Sequence, residues 1–148
     1  MGAHIPTRTV HALAEAQNWR CCYCGFQMLS RHAGPAEVCG VVGTGGRKWH
    51  RRTMARLHEV TAEHVQPRCD GGSDDAGNLV AAHRFCNEFR SNQPVDFALS
   101  RIRRMVRRGT HPFQAWARDR TYVGNCRLPS IHKPPRVPLS TAWPEIAL

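Results

Sequence analysis

Residues 61–90 open with Thr61-Ala62-Glu63-His64-Val65-Gln66-Pro67 and pass through Gly71-Gly72. They close with Asn78-Leu79-Val80-Ala81-Ala82 and His83-Arg84-Phe85-Cys86-Asn87-Glu88-Phe89-Arg90. β-Branched Val60, Thr61 and Val65 predict a strand over Leu57–Val65. Gln66–Gly77 has a proline, a glycine pair and no periodicity, which is loop chemistry. Asn78–Ala82 is short and apolar and predicts a second strand, and His83–Ser91 predicts a short helix. Two strands and a helix of this size make an α+β unit. Neighbouring side chains on a strand point to opposite faces, so Glu63 and His64 can share a cleft only where the strand end twists. Pro67 and the glycine pair are expected to supply that break. A carboxylate (Glu63), an imidazole (His64) and a carboxamide (Asn87) around one point suit a hard divalent cation beside a general base. His64 alone would read as an ordinary surface histidine and Asn87 as a helix residue without a role. Their fixed order with the glycine pair and Asn78 weighs against that.

Upstream stands Arg20-Cys21-Cys22-Tyr23-Cys24-Gly25. Cys21-x-x-Cys24 can point two thiolates at one centre, and His83-x-x-Cys86 offers a second half at the start of a helix. Together they have the makeup of a tetrahedral Cys3His zinc site. Gly25 frees the backbone to curl around the sulfurs, and Cys22 has the wrong spacing to join them. A lone Cys-x-x-Cys would equally read as a redox pair; the second half favours zinc. The chain has seven cysteines, an odd number, and Met1–Arg20 has no apolar core followed by a cleavage site. A disulfide framework and secretion are therefore not expected. A core of modest size is expected to need a metal staple.

Outside this unit, Val10, Leu13, Ala14 and Gln17 recur at helical spacing and predict a helix over Thr7–Trp19 with Thr7 as N-cap. Residues 31–46 read as loop, and the basic stretch Arg47–Arg56 reads as helix. Val95, Ala98, Leu99, Ile102, Met105 and Val106 form one stripe that predicts a core-facing helix over 95–108. Arg101, Arg103, Arg104, Arg107 and Arg108 lie on its other faces, as a solvated surface or a phosphate track. Residues 121–148 hold five of the ten prolines and predict an extended tail. The expected organisation is one domain over 1–120, with its motif core at 21–90, and the tail at 121–148. No internal repeat is evident.

Lys and Arg total 21 against 11 Asp and Glu in 148 residues, a net charge of +10. Only Lys48 and Lys133 are lysines. Arginine binds phosphate through a planar fork, so the surface expects a polyanion, most commonly nucleic acid. No apolar run approaches the ~20 residues of a membrane span, so no membrane role is expected.

The stretch Cys21–Arg90 resembles the HNH endonuclease family, through Cys21-Cys22-Tyr23-Cys24-Gly25, Glu63-His64-Val65-Gln66-Pro67, Gly71-Gly72, Asn78-Leu79-Val80 and His83-Arg84-Phe85-Cys86-Asn87. The resemblance implies a ββα-metal core with a zinc knuckle and flanking helices, and a DNA endonuclease that uses one divalent ion, Mg²⁺ or Mn²⁺. Carried over by position, His64 corresponds to the general base, and Glu63 and Asn87 to the pair that holds the ion. Asn78 corresponds to the asparagine that buttresses the loop and orients the histidine. Cys21, Cys24, His83 and Cys86 would bind zinc away from the chemistry. Arg84 or Arg90 would hold a flanking phosphate, with Arg47, Lys48, Arg51, Arg52 and Arg56 extending the track. The implied setting is the cytoplasm of a prokaryote or a phage-infected cell. A monomer would nick, whereas a homodimer could cut both strands.

There are two departures. The family often has aspartate where Glu63 stands, and its second zinc half is usually Cys-x-x-Cys where this chain has His83-x-x-Cys86. A competing arrangement gives His83 to the catalytic ion and brings Cys39 or Cys69 to the zinc. Two other functions stay open. One is a zinc-containing nucleic-acid-binding module without catalysis. The other is a subunit of a phage or defence complex that docks through the tail.

Overall fold

A computed structural model describes residues 4–118. The elements run α1 (Thr7–Ala16), α2 (Pro35–Val42), α3 (Lys48–Leu57), β1 (Val60–His64), β2 (Leu79–His83), α4 (Arg84–Arg90), α5 (Val95–Arg108) and α6 (Pro112–Arg118). This is an α+β architecture around a two-stranded sheet. The proline-rich tail expected at 121–148 lies outside the described residues. Among the described residues, no helix is long and apolar enough to cross a membrane.

β1 and β2 are antiparallel, in a register that pairs Val60 with His83, Glu63 with Val80 and His64 with Leu79. All five β2 residues are buried, because α1 and α4 pack on the sheet and the Cys21–Gly25 turn closes its edge. The Cys22 amide donates to the Ala81 carbonyl at 3.2 Å. Gln17 completes the edge: its side chain donates to the Ala81 carbonyl at 2.9 Å and accepts from the Ala81 amide at 2.7 Å. A buried carboxamide thus satisfies a strand edge that would otherwise be orphaned. The main core joins Ala14, Met28, Val80, Ala81 and the α5 stripe Val95, Ala98, Leu99, Ile102 and Val106. A second cluster, Leu29, Val42, Met54 and Phe113, ties α2, α3 and α6 together.

Several element boundaries differ from the sequence expectation. α1 ends at Ala16 and not Trp19, because Asn18 and Trp19 adopt φ of 52° and 55° and turn the chain into the cysteine knuckle. Its N-cap is Pro6, and Thr7 is already helical. Residues 31–46 are not all loop: Pro35 begins α2 after Gly34, and Gly43, at φ 81°, ends it. A proline whose fixed φ suits the first turn thus starts a helix in a stretch that composition alone marks as irregular. Leu57 ends α3 and is not part of β1. Asn78 belongs to a 3₁₀ turn before β2, and His83 ends the strand. α6 was not anticipated, since about two turns of helix anchored by Phe113 and Trp116 are too short to show a period.

The loop between the strands is held by Asn78 and shaped by Gly72. The Asn78 side chain accepts from the Gln66 amide at 2.8 Å and donates to the carbonyls of Gln66 (3.0 Å) and Ser73 (2.8 Å). A Cβ on Gly72 would stand 1.8 Å from the Gln66 carbonyl oxygen and 2.9 Å from Asn78 Nδ2, whereas one on Gly77 meets nothing within 4 Å. Gly72→Ala is therefore expected to destabilise the fold by about 1–3 kcal/mol and Gly77→Ala by about 0.5 kcal/mol or less, read from urea midpoints. Equal midpoints for the two variants would contradict this account of the loop.

Candidate functional site: a buried Cys3His cluster beside a strand-loop-helix site

The first constellation is closed. The ligand atoms of Cys21, Cys24, His83 and Cys86 lie within 4.8 Å of one another, and all four residues are buried. Four donors about 2.0–2.3 Å from a common ion stand within that range. The geometry of the turn follows from Gly25, at φ 77°, whose amide donates to the Cys21 carbonyl at 2.9 Å. His83 Nε2 faces only an acceptor, the Gln27 carbonyl at 2.8 Å. The ring proton therefore sits on Nε2, leaving the Nδ1 lone pair toward the sulfurs, 3.3 Å from Cys24 Sγ. Burial pushes the thiols of Cys24 and Cys86 well up, and the neighbouring Cys21 pushes them further. Burial also acts against Cys21, but hydrogen bonds from the Cys22, Cys24 and Cys86 thiols outweigh it and pull Cys21 well down. One thiolate thus forms at the expense of the other two, and a bound dication would let all three ionise. The donor set fits zinc. Cys39 and Cys69 stand outside the cluster, Cys69 being exposed. The arrangement that gave His83 to a second ion is thus not the one the fold adopts.

The wall of this cluster comes from α3 and α6, which sequence reasoning did not connect to it. His111 Nδ1 accepts from the Phe113 amide at 3.3 Å, so its Nε2 carries the proton and faces Cys86 Sγ at 3.8 Å. Phe113 stacks on His58 with ring centres 3.5 Å apart, and both rings meet the His83 edge. Burial, with His83 nearby, pushes His58 down to about 3 and His111 down to about 4. Both rings stay neutral, so they pack as aromatics without adding charge to the cluster.

The second constellation lies along β1, the loop and α4. The ladder stays regular through His64, so the twist expected at the strand end is absent and the two side chains part. Glu63 turns inward and is 4% exposed. Its Oε1 accepts from Tyr23 Oη at 2.9 Å and from the Arg90 guanidinium. Burial pushes the Glu63 carboxyl up, which Arg90 and Tyr23 only partly offset. Burial and the Glu63 charge raise the Tyr23 phenol far above its usual range, so it stays a donor. Among the described residues, the other Glu63 oxygen has no hydrogen-bond partner. Arg90 is 2% exposed and also donates to the carbonyls of His64, Val65 (3.1 Å) and Gln93 (2.9 Å). It holds β1 to α4 and is not on the surface, where phosphate contact was expected.

His64 lies on the other face, its side chain 17% exposed. Its Nε2 meets Asp74 Oδ1 at 2.7 Å, and Arg68 donates to the same oxygen through Nε at 2.8 Å and Nη2 at 2.7 Å. His64 and Arg68 hold the Asp74 carboxyl below its usual range. The histidine is thus oriented by Asp74; Asn78, expected to share that work, buttresses the loop alone. Nothing in the spacing singles out Asp74, one of two adjacent aspartates in an irregular loop. Asn87 donates from Nδ2 to Thr61 Oγ1 and the Ala62 carbonyl, both at 3.1 Å, and among the described residues its Oδ1 has no hydrogen-bond partner. Arg84 pairs with Glu59 at 2.8 Å, half-buried. Arg51 is tied to the carbonyls of Thr44 (3.0 Å) and Gly46. Arg47, Lys48, Arg52 and Arg56 are exposed at α3.

Residues 46–93 match the family model for HNH endonucleases. This segment is an HNH domain. It takes in α3, both strands and α4, so the HNH domain holds His83 and Cys86 while Cys21 and Cys24 arrive from outside the matched residues. No curated protein and no solved structure matches the chain.

Metal analysis of the purified protein is expected to find about one tightly held zinc per chain. Cys24→Ser should remove it and lower the melting temperature, since closed sites of this kind supply folding energy. Metal-free protein that melts at the same temperature would contradict the assignment.

Proposed function

We propose that the chain is a metal-dependent DNA endonuclease in which His64 activates water for attack on a phosphodiester. The observation that carries the reading is the array Arg68–Asp74–His64. A carboxylate on Nε2 selects the tautomer in which that nitrogen bears the proton, and Nδ1, without a hydrogen-bond partner among the described residues, is left as the base. His64 then takes a proton from water at Nδ1, and Asp74 stabilises the imidazolium that results. Arg68, bound to Asp74 through two nitrogens, keeps the carboxylate ionised and in register.

Glu63 and Asn87 would hold the divalent ion. The fit rests on two oxygens without partners, one on Glu63 and Oδ1 of Asn87, whose amide nitrogen is anchored to β1. Oxygen donors suit Mg²⁺ or Mn²⁺. When bound, such an ion supplies positive charge to the phosphorane-like transition state and the departing oxygen. Exposed Arg47, Lys48, Arg52 and Arg56 are suited to lead duplex phosphates to the site. Arg90 is engaged inside the fold and drops out of that track, Arg84 is committed to Glu59, and Arg51 bonds the Thr44 and Gly46 carbonyls at the surface.

A second reading, a zinc-stabilised nucleic-acid-binding module without catalysis, is favoured by one observation. Arg90 already neutralises Glu63, the carboxylate that an ion would need. Cleavage of supercoiled plasmid in Mg²⁺ or Mn²⁺ separates the two. Wild type is expected to cut. His64→Ala should lose about 10²–10⁴-fold in rate, as general-base removal does, and Asp74→Ala about tenfold or more through misorientation. Intact plasmid with every ion, or His64→Ala cutting at the wild-type rate, would overturn the nuclease reading.

A further inference from the structure

The core-facing stripe of α5 leaves a second stripe to explain. Phe97, Arg101, Arg104 and Arg108 recur at spacings of four, three and four, so they fall on one line along the helix, and all are exposed. Phe97 is 47% exposed and Phe89, at the end of α4, is 36% exposed. The Arg101 guanidinium lies between them, 5.8 Å from the Phe89 ring centre and 5.5 Å from that of Phe97. These residues line a 460 Å³ groove with Met105 and Thr110. Among the described residues, none of these three arginines has a carboxylate at ion-pair distance, whereas Arg68, Arg84 and Arg90 each do.

Neither half of this surface is needed by the fold. Val95, Ala98, Leu99, Ile102 and Val106 already fill the buried face of α5, and Phe97, like Phe89 beside Phe85, still leaves much of its ring to solvent. A solvated charge face accounts for the arginines but gives no reason for exposed phenyls among them. Unneutralised guanidinium groups in line with aromatic faces match the chemistry of an unpaired nucleic-acid strand. Its phosphates need cations at intervals, and its bases need π-surfaces on which to stack. In a duplex the base faces are already stacked on one another, so the phenyls would be idle. From Phe97 to Arg108 the helix runs about 16 Å, enough for a few nucleotides.

We propose that the α4–α5 groove is a binding site for single-stranded nucleic acid. Arg101, Arg104 and Arg108 contact phosphates, and Phe97 and Phe89 stack on bases. The proposal goes beyond the nuclease reading and does not depend on it, because the groove shares no residue with Glu63, His64, Asn78 or Asn87.

The test uses the full chain carrying His64→Ala, so that any probe stays intact, and fluorescence anisotropy with a labelled oligothymidylate and a blunt duplex of equal length. Adding Phe97→Ala is expected to weaken binding of the single strand about tenfold, the effect of one lost stacking contact, with the duplex changed less than twofold. Phe97→Trp should restore it. Arg104→Ala should lower the slope of log affinity against log salt for the single strand by about 0.7. An unchanged single-strand affinity in Phe97→Ala, or equal losses for strand and duplex, would overturn the proposal. Because Phe97 is exposed, its variants should melt like the parent, and that comparison guards against misfolding.

Discussion

The rest of the structure depends on the meeting of Cys21 and Cys24 with His83 and Cys86. The first pair lies on a knuckle before the sheet and the second at the junction of β2 with α4. Drawing them together fixes where β2 ends, where α4 begins and therefore where Asn87 stands. A two-stranded sheet is marginal alone. Here it is covered by α1, α4 and the knuckle, with Gln17 closing its edge. His58, His111 and Phe113 wall the cluster from α3 and from the start of α6, and the two histidines are neutral because they are buried. The cluster is thus both a clamp and the centre of the core.

The HNH segment is built on this clamp with its own division of labour. Regular strand alternation sends Glu63 inward to Arg90 and Tyr23, and His64 outward to Asp74. Arg90 bonds Glu63 and three backbone carbonyls, so it sets the distance between β1 and α4. Asn78 and Gly72 hold the loop that delivers Asp74. Each residue proposed for the chemistry is therefore held by one that the proposal leaves out of it.

How much of this was legible in the sequence follows from the range of each interaction. The α5 stripe was readable because it repeats over fourteen residues, and the Cys3His set because ligand spacing is a local constraint. α2 and α6 were not, since one begins on a proline in a glycine-rich stretch and the other is a short helix held by Phe113 and Trp116. The misassigned arginines have a common cause. Arg90 looks like any other cation in a basic chain until Glu63 is seen beneath it, twenty-seven positions away in sequence. Asp74 is equally silent, because its role is set by the path of an irregular loop.

We propose that Glu63 and Asn87 gather a divalent ion within one phosphodiester's reach of the His64 ring, even though the regular strand sends Glu63 and His64 to opposite faces of β1. Titrating Mn²⁺ into the zinc-loaded protein while following the histidine ring signals by NMR tests it directly, because paramagnetic broadening falls steeply with distance. The account predicts that the His64 signals broaden before those of the other surface histidines, and that Asn87→Ala abolishes the preference. Broadening of His64 no earlier than that of His11 or His32, in the wild-type chain, would contradict it.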